Sequence, residues 1–143
     1  MKARELMTAA PCCCSPDDSI QTVAQMMRDH DCGSVPVVEA GHVVGIVTDR
    51  DLAIRAIADG MNGGLRVRNV MTVAPECCSE EDDVRSIERV MSERQVRRVP
   101  IVNADGGVVG IIAQADLARA ASQGSKVSDE AFTETVASIS APT

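Results

Sequence analysis

The sequence predicts an α+β fold: two β-α-β-β-α units packed sheet to sheet about a pseudo-twofold axis, with a further helix expected near the C-terminus. Three observations carry that expectation. The first is that the chain repeats itself. Met7-Thr8 returns at Met71-Thr72, Cys13-Cys14-Ser15 at Cys77-Cys78-Ser79, Met27 at Met91 and Val35-Pro36 at Val99-Pro100, all at a shift of 64. One extra residue within Asp105-Gly106-Gly107 raises the shift to 65. Val43-Val44-Gly45-Ile46 then falls on Val108-Val109-Gly110-Ile111, and Asp51-Leu52 on Asp116-Leu117. The second observation is that hydrophobic spacing switches between helical and strand periods in the same order in both copies. The third is composition: 45% of the 143 residues are hydrophobic but only 1% are aromatic, so the core must be assembled from Val, Ile, Leu, Met and Ala. A unit of roughly 50 residues is too small to cover its own apolar sheet face, so the two motifs are expected to form one cooperative domain.

Each copy reads in the same order. A short strand around Cys12–Cys14, or Cys77–Cys78, leads into Ser15-Pro16-Asp17-Asp18, or Ser79-Glu80-Glu81-Asp82. These are helix-cap and first-turn residues whose acids suit the positive end of a helix. Ile20, Val23, Ala24 and Met27 then follow at helical spacing, matched by Val84, Ile87, Val90 and Met91. Val35-Pro36-Val37-Val38 is a β-branched strand in which Pro36 marks the strand start or an edge. A tight turn at 39–42 joins it to a hairpin partner over 43–48. A second helix over 49–59 places Leu52, Ala53 and Ala56 on its inner face, and residues 60–64 form a loop between the copies. Short helices are expected at 1–6 and 67–70. The domain boundaries that follow are 1–64 for the first motif, 65–121 for the second, and 122–143 for a linker and tail.

Composition excludes several functions. With no Trp, no Tyr and Phe132 alone, the chain has no stacking platform for single-stranded nucleic acid and no aromatic cage for a quaternary ammonium. A formal net charge of −7 argues against nucleic acid as a partner, since phosphate binding needs a basic field. The first fourteen residues have no apolar signal-peptide core, and no apolar run approaches the roughly 20 residues of a membrane helix. The expected setting is therefore cytoplasmic, with no membrane partner and with the six cysteines reduced. No nucleophile elbow, zinc-protease motif, P-loop or dinucleotide fingerprint is present, so no catalytic residue and no enzyme activity are expected. His30 and His42 stand alone, and no metal site is expected.

The repeated Met-Thr start, the Val-Pro strand, and the copy endings Gly45-Ile46-Val47-Thr48-Asp49-Arg50-Asp51-Leu52 and Gly110-Ile111-Ile112-Ala113-Gln114-Ala115-Asp116-Leu117 resemble the cystathionine β-synthase (CBS) domain. Two copies would form a CBS pair, or Bateman module, covering residues 4–121. The chain looks most like short bacterial proteins that consist of such a pair. The resemblance implies a regulatory module that binds an adenosine-containing ligand between the copies and often dimerises. It also implies that a Gly-h-h-Thr/Ser-x-x-Asp motif receives the ribose and phosphate. Thr48 and Asp51 match that motif, while the second copy keeps Asp116 but has Ala113 in place of the hydroxyl residue. The residue chemistry agrees: a carboxylate one turn after a hydroxyl can accept both ribose hydroxyls while the hydroxyl and free helix N–H groups meet phosphate.

In the family each cleft is completed by the other copy. Carried over, the main cleft would combine Thr48, Asp51 and Ile46 with Val73, Val96, Arg97, Arg98, Val99 and Pro100, the two arginines serving the phosphate. A weaker second cleft would combine Asp116 and Ile111 with Ala9, Cys32, Gly33, Ser34, Val35 and Pro36, and it has no basic residue in the matching place. The purine would lie between aliphatic walls such as Ile46 and Val99.

Each residue also has a structural reading. Thr48 and Asp51 can act as helix caps, Asp116 as a helix-start residue, and Arg97 and Arg98 as surface ion-pair partners. The cysteines can be small core residues, or Cys13 and Cys77 can respond to oxidation. In the tail, Ala131, Phe132, Val136 and Ile139 line one face of a prospective helix over a polar linker, the alternative being a free tail. The leading functional expectation is a non-enzymatic sensor: a likeness to AMP-, ADP-, ATP- or S-adenosylmethionine-binding modules, with no other cofactor, acting as a homodimer on an unknown protein target. The alternative is an interaction module with empty clefts and redox-responsive cysteines.

Overall fold

Two hairpins anchor the fold, and their sequences explain their form. In the first copy, β2 (Ser34–Glu39) pairs antiparallel with β3 (His42–Thr48), from Ser34 opposite Thr48 to Glu39 opposite His42. Ala40 and Gly41 close it with positive φ at both positions, 52° and 79°, the twist a two-residue hairpin loop requires. In the second copy, β6 (Arg98–Val102) pairs with β7 (Val108–Ala113) around a longer loop. There Asn103 Oδ1 accepts N–H bonds from Asp105 and Gly107 at 3.0 Å each, which is how the extra residue of the repeat is absorbed. Both hairpins carry a register shift at the same repeat position, Val37/Val38 and Ile101/Val102. The computed structural model describes residues 1–122, so the tail helix expected over 131–139 lies outside the described residues.

The first helix of each copy, α2 (Ile20–His30) and α4 (Val84–Arg94), begins later than the sequence suggests. The residues expected to cap them instead close a turn of their own. Asp18 Oδ2 accepts the Ser15 N–H at 2.8 Å, and Asp82 Oδ2 accepts the Ser79 N–H at 2.8 Å. The true N-caps are Ser19, which accepts from the Thr22 N–H, and Asp83, which accepts from the Arg85 N–H. Both helices end in a left-handed residue, Asp31 and Gln95.

The second helices differ between copies. α5 (Gln114–Ser122) is a regular α-helix, whereas α3 (Asp49–Asp51) continues as a π-helical stretch over Leu52–Ile57. The wider turn buries Ala56 and half-buries Leu52 but leaves Ala53, expected on the inner face, exposed.

Strand pairing separates the compact units from the sequence copies. β1 (Thr8–Ala9), preceded by α1 (Ala3–Leu6), pairs with β7 of the second copy, with Ala9 opposite Gly110. β4 (Thr72–Val73), at the start of the second copy, pairs with β3 of the first, with Val73 opposite Gly45. The glycines make room for these strands: a Cβ at Gly45 would lie 2.6 Å from Met71 Sδ, and Gly110 faces Met7 in the same way. The chain therefore divides into a continuous unit, Pro11–Pro75, and a discontinuous one formed by residues 1–10 with the described residues from Glu76 onward. In sheet terms, β2-β3-β4 belongs to the first unit, and β1-β7-β6-β5, with β5 at Cys78–Ser79, to the second. The strand expected around Cys12–Cys14 reduces to a single bridge, Cys14 opposite Val37, the repeat counterpart of Cys78 opposite Ile101.

Each unit has its own aliphatic core. Cys14, Ile20, Val23, Met27, Val35, Val37, Val47 and Ala56 are in one; in the other, Cys78, Val84, Ile87, Met91, Val99, Ile101 and Ile112 are the repeat counterparts of the first seven, joined by Leu117. The absence of aromatic residues is thus met by β-branched strands packed on amphipathic helices.

Candidate functional site

Thr48 is the last residue of β3 and the N-cap of α3, with φ −116° and ψ 162°. It forms a reciprocal capping box with Asp51. The Asp51 N–H donates to Thr48 Oγ1 at 3.1 Å, and the Thr48 N–H donates to Asp51 Oδ2 at 2.9 Å. The capping role is therefore realised, yet it leaves functional valence unused. The Thr48 hydroxyl accepts here and keeps its own hydrogen to donate. Asp51 Oδ1 accepts no hydrogen bond within the described residues, and its nearest cation, Arg55 Nε, stands 3.8 Å away. Arg55 is directed elsewhere, its Nη1 donating to the carbonyls of Val70 at 3.2 Å and Met71 at 3.4 Å, just before β4.

Of the other residues expected around this acid, Ile46 and Val73 lie in the Pro11–Pro75 unit, whereas Val96, Arg97, Arg98, Val99 and Pro100 lie in the discontinuous one. Ile46 is buried on the face of β3 opposite Val47, and Val73 is exposed on β4 beside Gly45. Ser34, Val35 and Pro36, from the set assigned to the second cleft, pair with Thr48, Val47 and Ile46 on the neighbouring strand. The Gly33 carbonyl accepts the Asp49 N–H at 3.0 Å, and Cys32 is half-buried against the core.

In the discontinuous unit the same arrangement recurs. Asp116 Oδ2 accepts the Ala113 N–H at 2.7 Å, and its Oδ1 accepts a hydrogen bond from Arg119 Nη2. Half-buried Ile111 lies between Thr8 and Pro100, and exposed Ala9 is opposite Gly110. Arg97 passes its carbonyl to the Gln114 N–H at 2.8 Å, and Val96 packs on the core. Arg97 is exposed and Arg98 half-buried, and among the described residues no carboxylate pairs with either guanidinium. The surface ion-pair reading of this arginine pair is therefore not realised there.

Two expectations need correction. Val99 and Val35 are fully buried in the two cores, so their side chains cannot serve as walls of a purine slot. The cause is the two-residue period of a strand: Arg98 and Pro100 share one face of β6 while Val99 and Ile101 face α4. An open apolar groove of about 370 Å³ in the Pro11–Pro75 unit is lined by Ile20, Gln21, Ala24, Leu52, Ile57 and Gly63, and includes none of the predicted ligand residues.

Sequence reasoning missed Arg55 and Arg119. Their signal was available, since a cation three or four residues after an acid on a helix can reach it, and both follow Asp51 and Asp116 at that spacing.

All six cysteines are free thiols. Burial pushes Cys14 up to about 12 and Cys78 up to about 11, helped by the neighbouring Asp18 and Asp82. Burial also raises Cys13, Cys32 and Cys77. A thiol held protonated is a poor nucleophile, so the redox-responsive alternative finds no support in these microenvironments. In the native protein Cys14 and Cys78 are expected to resist alkylation at about pH 8 and to react once denaturant is added. Rapid native labelling of either, read by mass spectrometry of peptides, would contradict their packing. Among the described residues no group of three or more His, Cys, Asp or Glu side chains is placed to hold a metal ion, and no helix is long and apolar enough to cross a membrane.

The CBS domain family model matches residues 3–57 and 67–123, both copies of the repeat. The chain belongs to the CBS domain family. As a tandem CBS pair it is similar to the CBS domain-containing protein YhcV of Bacillus subtilis, at 36% identity over 80% of this chain and 81% of the relative. Among solved structures it is similar to Hypoxic Response Protein I, described with two coordinated zinc ions, at 30% identity and a TM-score of 0.74 over 83% of this chain and 98% of that one. It is also similar to the CBS domain pair of protein MJ0100, solved in complex with 5′-methylthioadenosine and S-adenosyl-L-methionine, at 25% identity and a TM-score of 0.79 over 87% of this chain and 98% of that one.

Proposed function

We propose that this CBS pair is a non-enzymatic, cytoplasmic sensor that binds one adenosine-containing ligand at Thr48 and Asp51 and signals occupancy through its conformation or assembly to a protein target. The observation that carries the reading is the uncommitted Oδ1 of Asp51 beside a hydroxyl with a free hydrogen. A ribose diol offers two O–H donors to such an oxygen, and a charged acceptor makes those bonds stronger than neutral ones. The CBS pair of MJ0100 holding two adenosine-containing ligands supports the ligand class. Arg97 and Arg98, cations without a carboxylate partner among the described residues, supply the counter-charge for a phosphate. Ile54 and Ile57, 54% and 68% exposed on the π-helical stretch, give a homodimer an apolar surface to bury.

The phosphate assignment has its own test. Replacing Arg97 and Arg98 together with alanine is expected to weaken AMP binding by roughly tenfold to a hundredfold while leaving adenosine binding unchanged, because the lost contacts are charge-assisted and go to phosphate alone. Calorimetric titration with both ligands reads the difference. An equal loss for adenosine and AMP would contradict it.

A further inference from the structure

Asp51 and Asp116 are counterparts in the repeat, and each commits Oδ2 to the backbone N–H three residues earlier, at 2.9 and 2.7 Å. They differ at the other oxygen. In the first copy the arginine sits four residues on, at Arg55, 3.8 Å from Oδ1 and turned toward the Val70 and Met71 carbonyls. In the second copy it sits three residues on, at Arg119, and its guanidinium donates directly to Asp116 Oδ1. The Asp116 side chain is 7% exposed against 15% for Asp51. By the repeat, Arg119 corresponds to Ile54 and Arg55 to Ala120, so the helix arginine has moved by one position between copies.

We propose that Arg119 is a specificity-determining residue: it closes Asp116 to a ribose diol and limits the chain to one adenosine-type ligand. A diol brings neutral donors from solution. The guanidinium is a charged donor fixed on the same helix, so it is both the stronger partner and present at a high local concentration. To bind, a diol would have to displace it and leave the guanidinium without its acceptor. Ala113 withholds a hydroxyl from the same place, but it leaves the acid itself untouched. Arg119 is what removes the acid.

This inference rests on the ligand reading of Asp51, and the number of sites separates the two. Equilibrium titration with AMP is expected to give one site per chain for the unmodified protein. It should give two for Arg119→Ile, which installs the residue of the first copy, and one again for Arg119→Ile combined with Asp116→Asn. Arg119→Ala is the second variant, in which a lost arginine is not confounded with an added branched side chain. One site in the unmodified protein and still one in both Arg119 variants overturns the role of Arg119 while leaving Asp51 standing. Two sites in the unmodified protein also overturn it. No site in any of the proteins overturns the parent reading, and the inference with it.

Discussion

Replacing Asp51 with alanine is expected to weaken binding of an adenosine-type ligand by roughly tenfold to a hundredfold, the loss that follows from removing a charged acceptor worth about 1.5–3 kcal/mol. The substitution also breaks the capping box, because Asp51 Oδ2 accepts the Thr48 N–H, so about 1 kcal/mol of stability should go with it. Asp51→Asn separates the two effects. The amide oxygen can still accept the Thr48 N–H, so stability should fall little, while the charged acceptor for the ribose is gone. Calorimetry measures the first quantity and chemical denaturation the second. If Asp51→Asn binds as tightly as the unmodified protein, the residue is a cap and nothing more.

Replacing Glu88 with alanine is expected to stabilise the fold. Glu88 is 5% exposed on α4, and its Oε1 has no hydrogen-bond partner among the described residues. Burial raises its pKa above the usual carboxylate value. Arg85 opposes that shift and Asp83 adds to it. A folded-state pKa raised above the unfolded value means that protonation favours the native state. The stabilising influence of the neutral acid is therefore fully present below the unfolded pKa and is lost as pH rises through the folded one. At neutral pH the ionised group is a liability. The repeat counterpart of Glu88 in the first copy is Ala24, which is exposed there. Glu88→Ala should gain about 1–3 kcal/mol at pH 7, the cost of an unsatisfied buried polar group. In a thermal melt that is a rise on the order of 2–8 °C. The gain should shrink as pH falls toward 4, where the acid becomes neutral. A loss of stability at pH 7 would mean that the carboxylate has a partner it depends on.

Much of the fold was legible in the sequence because duplication wrote it twice. The helices α2 and α4 and the hairpin strands are long enough to show their period, and a pattern seen at Val35–Val38 gains weight when Val99–Val102 repeats it. What was hidden is short or long-range. β1 and β4 are two residues each, too short to carry a period, and their pairing with β7 and β3 joins segments far apart in sequence. The exchange that moves residues 1–10 into the second copy's unit was therefore invisible, although Gly45 and Gly110, which admit Met71 and Met7, were its trace.

The site was legible to a similar depth. The acid and its cap were found at Thr48 and Asp51 because a hydroxyl three residues before a carboxylate has a local meaning. Of the two aliphatic walls expected, Ile46 lies on the face of its strand opposite the core, whereas Val99 lies in the core, and strand alternation around Pro100 was the clue to read. The arginines that decide the state of each acid escaped notice because their difference is one residue of helical phase, i+4 at Arg55 and i+3 at Arg119.

The central claim is that an adenosine-type ligand is held by Asp51. It is tested most directly by calorimetric titration of the unmodified chain with AMP, ADP, ATP, S-adenosylmethionine and adenosine. Saturable binding of at least one of them at one site per chain is the predicted result. No detectable heat or binding with all five would contradict it.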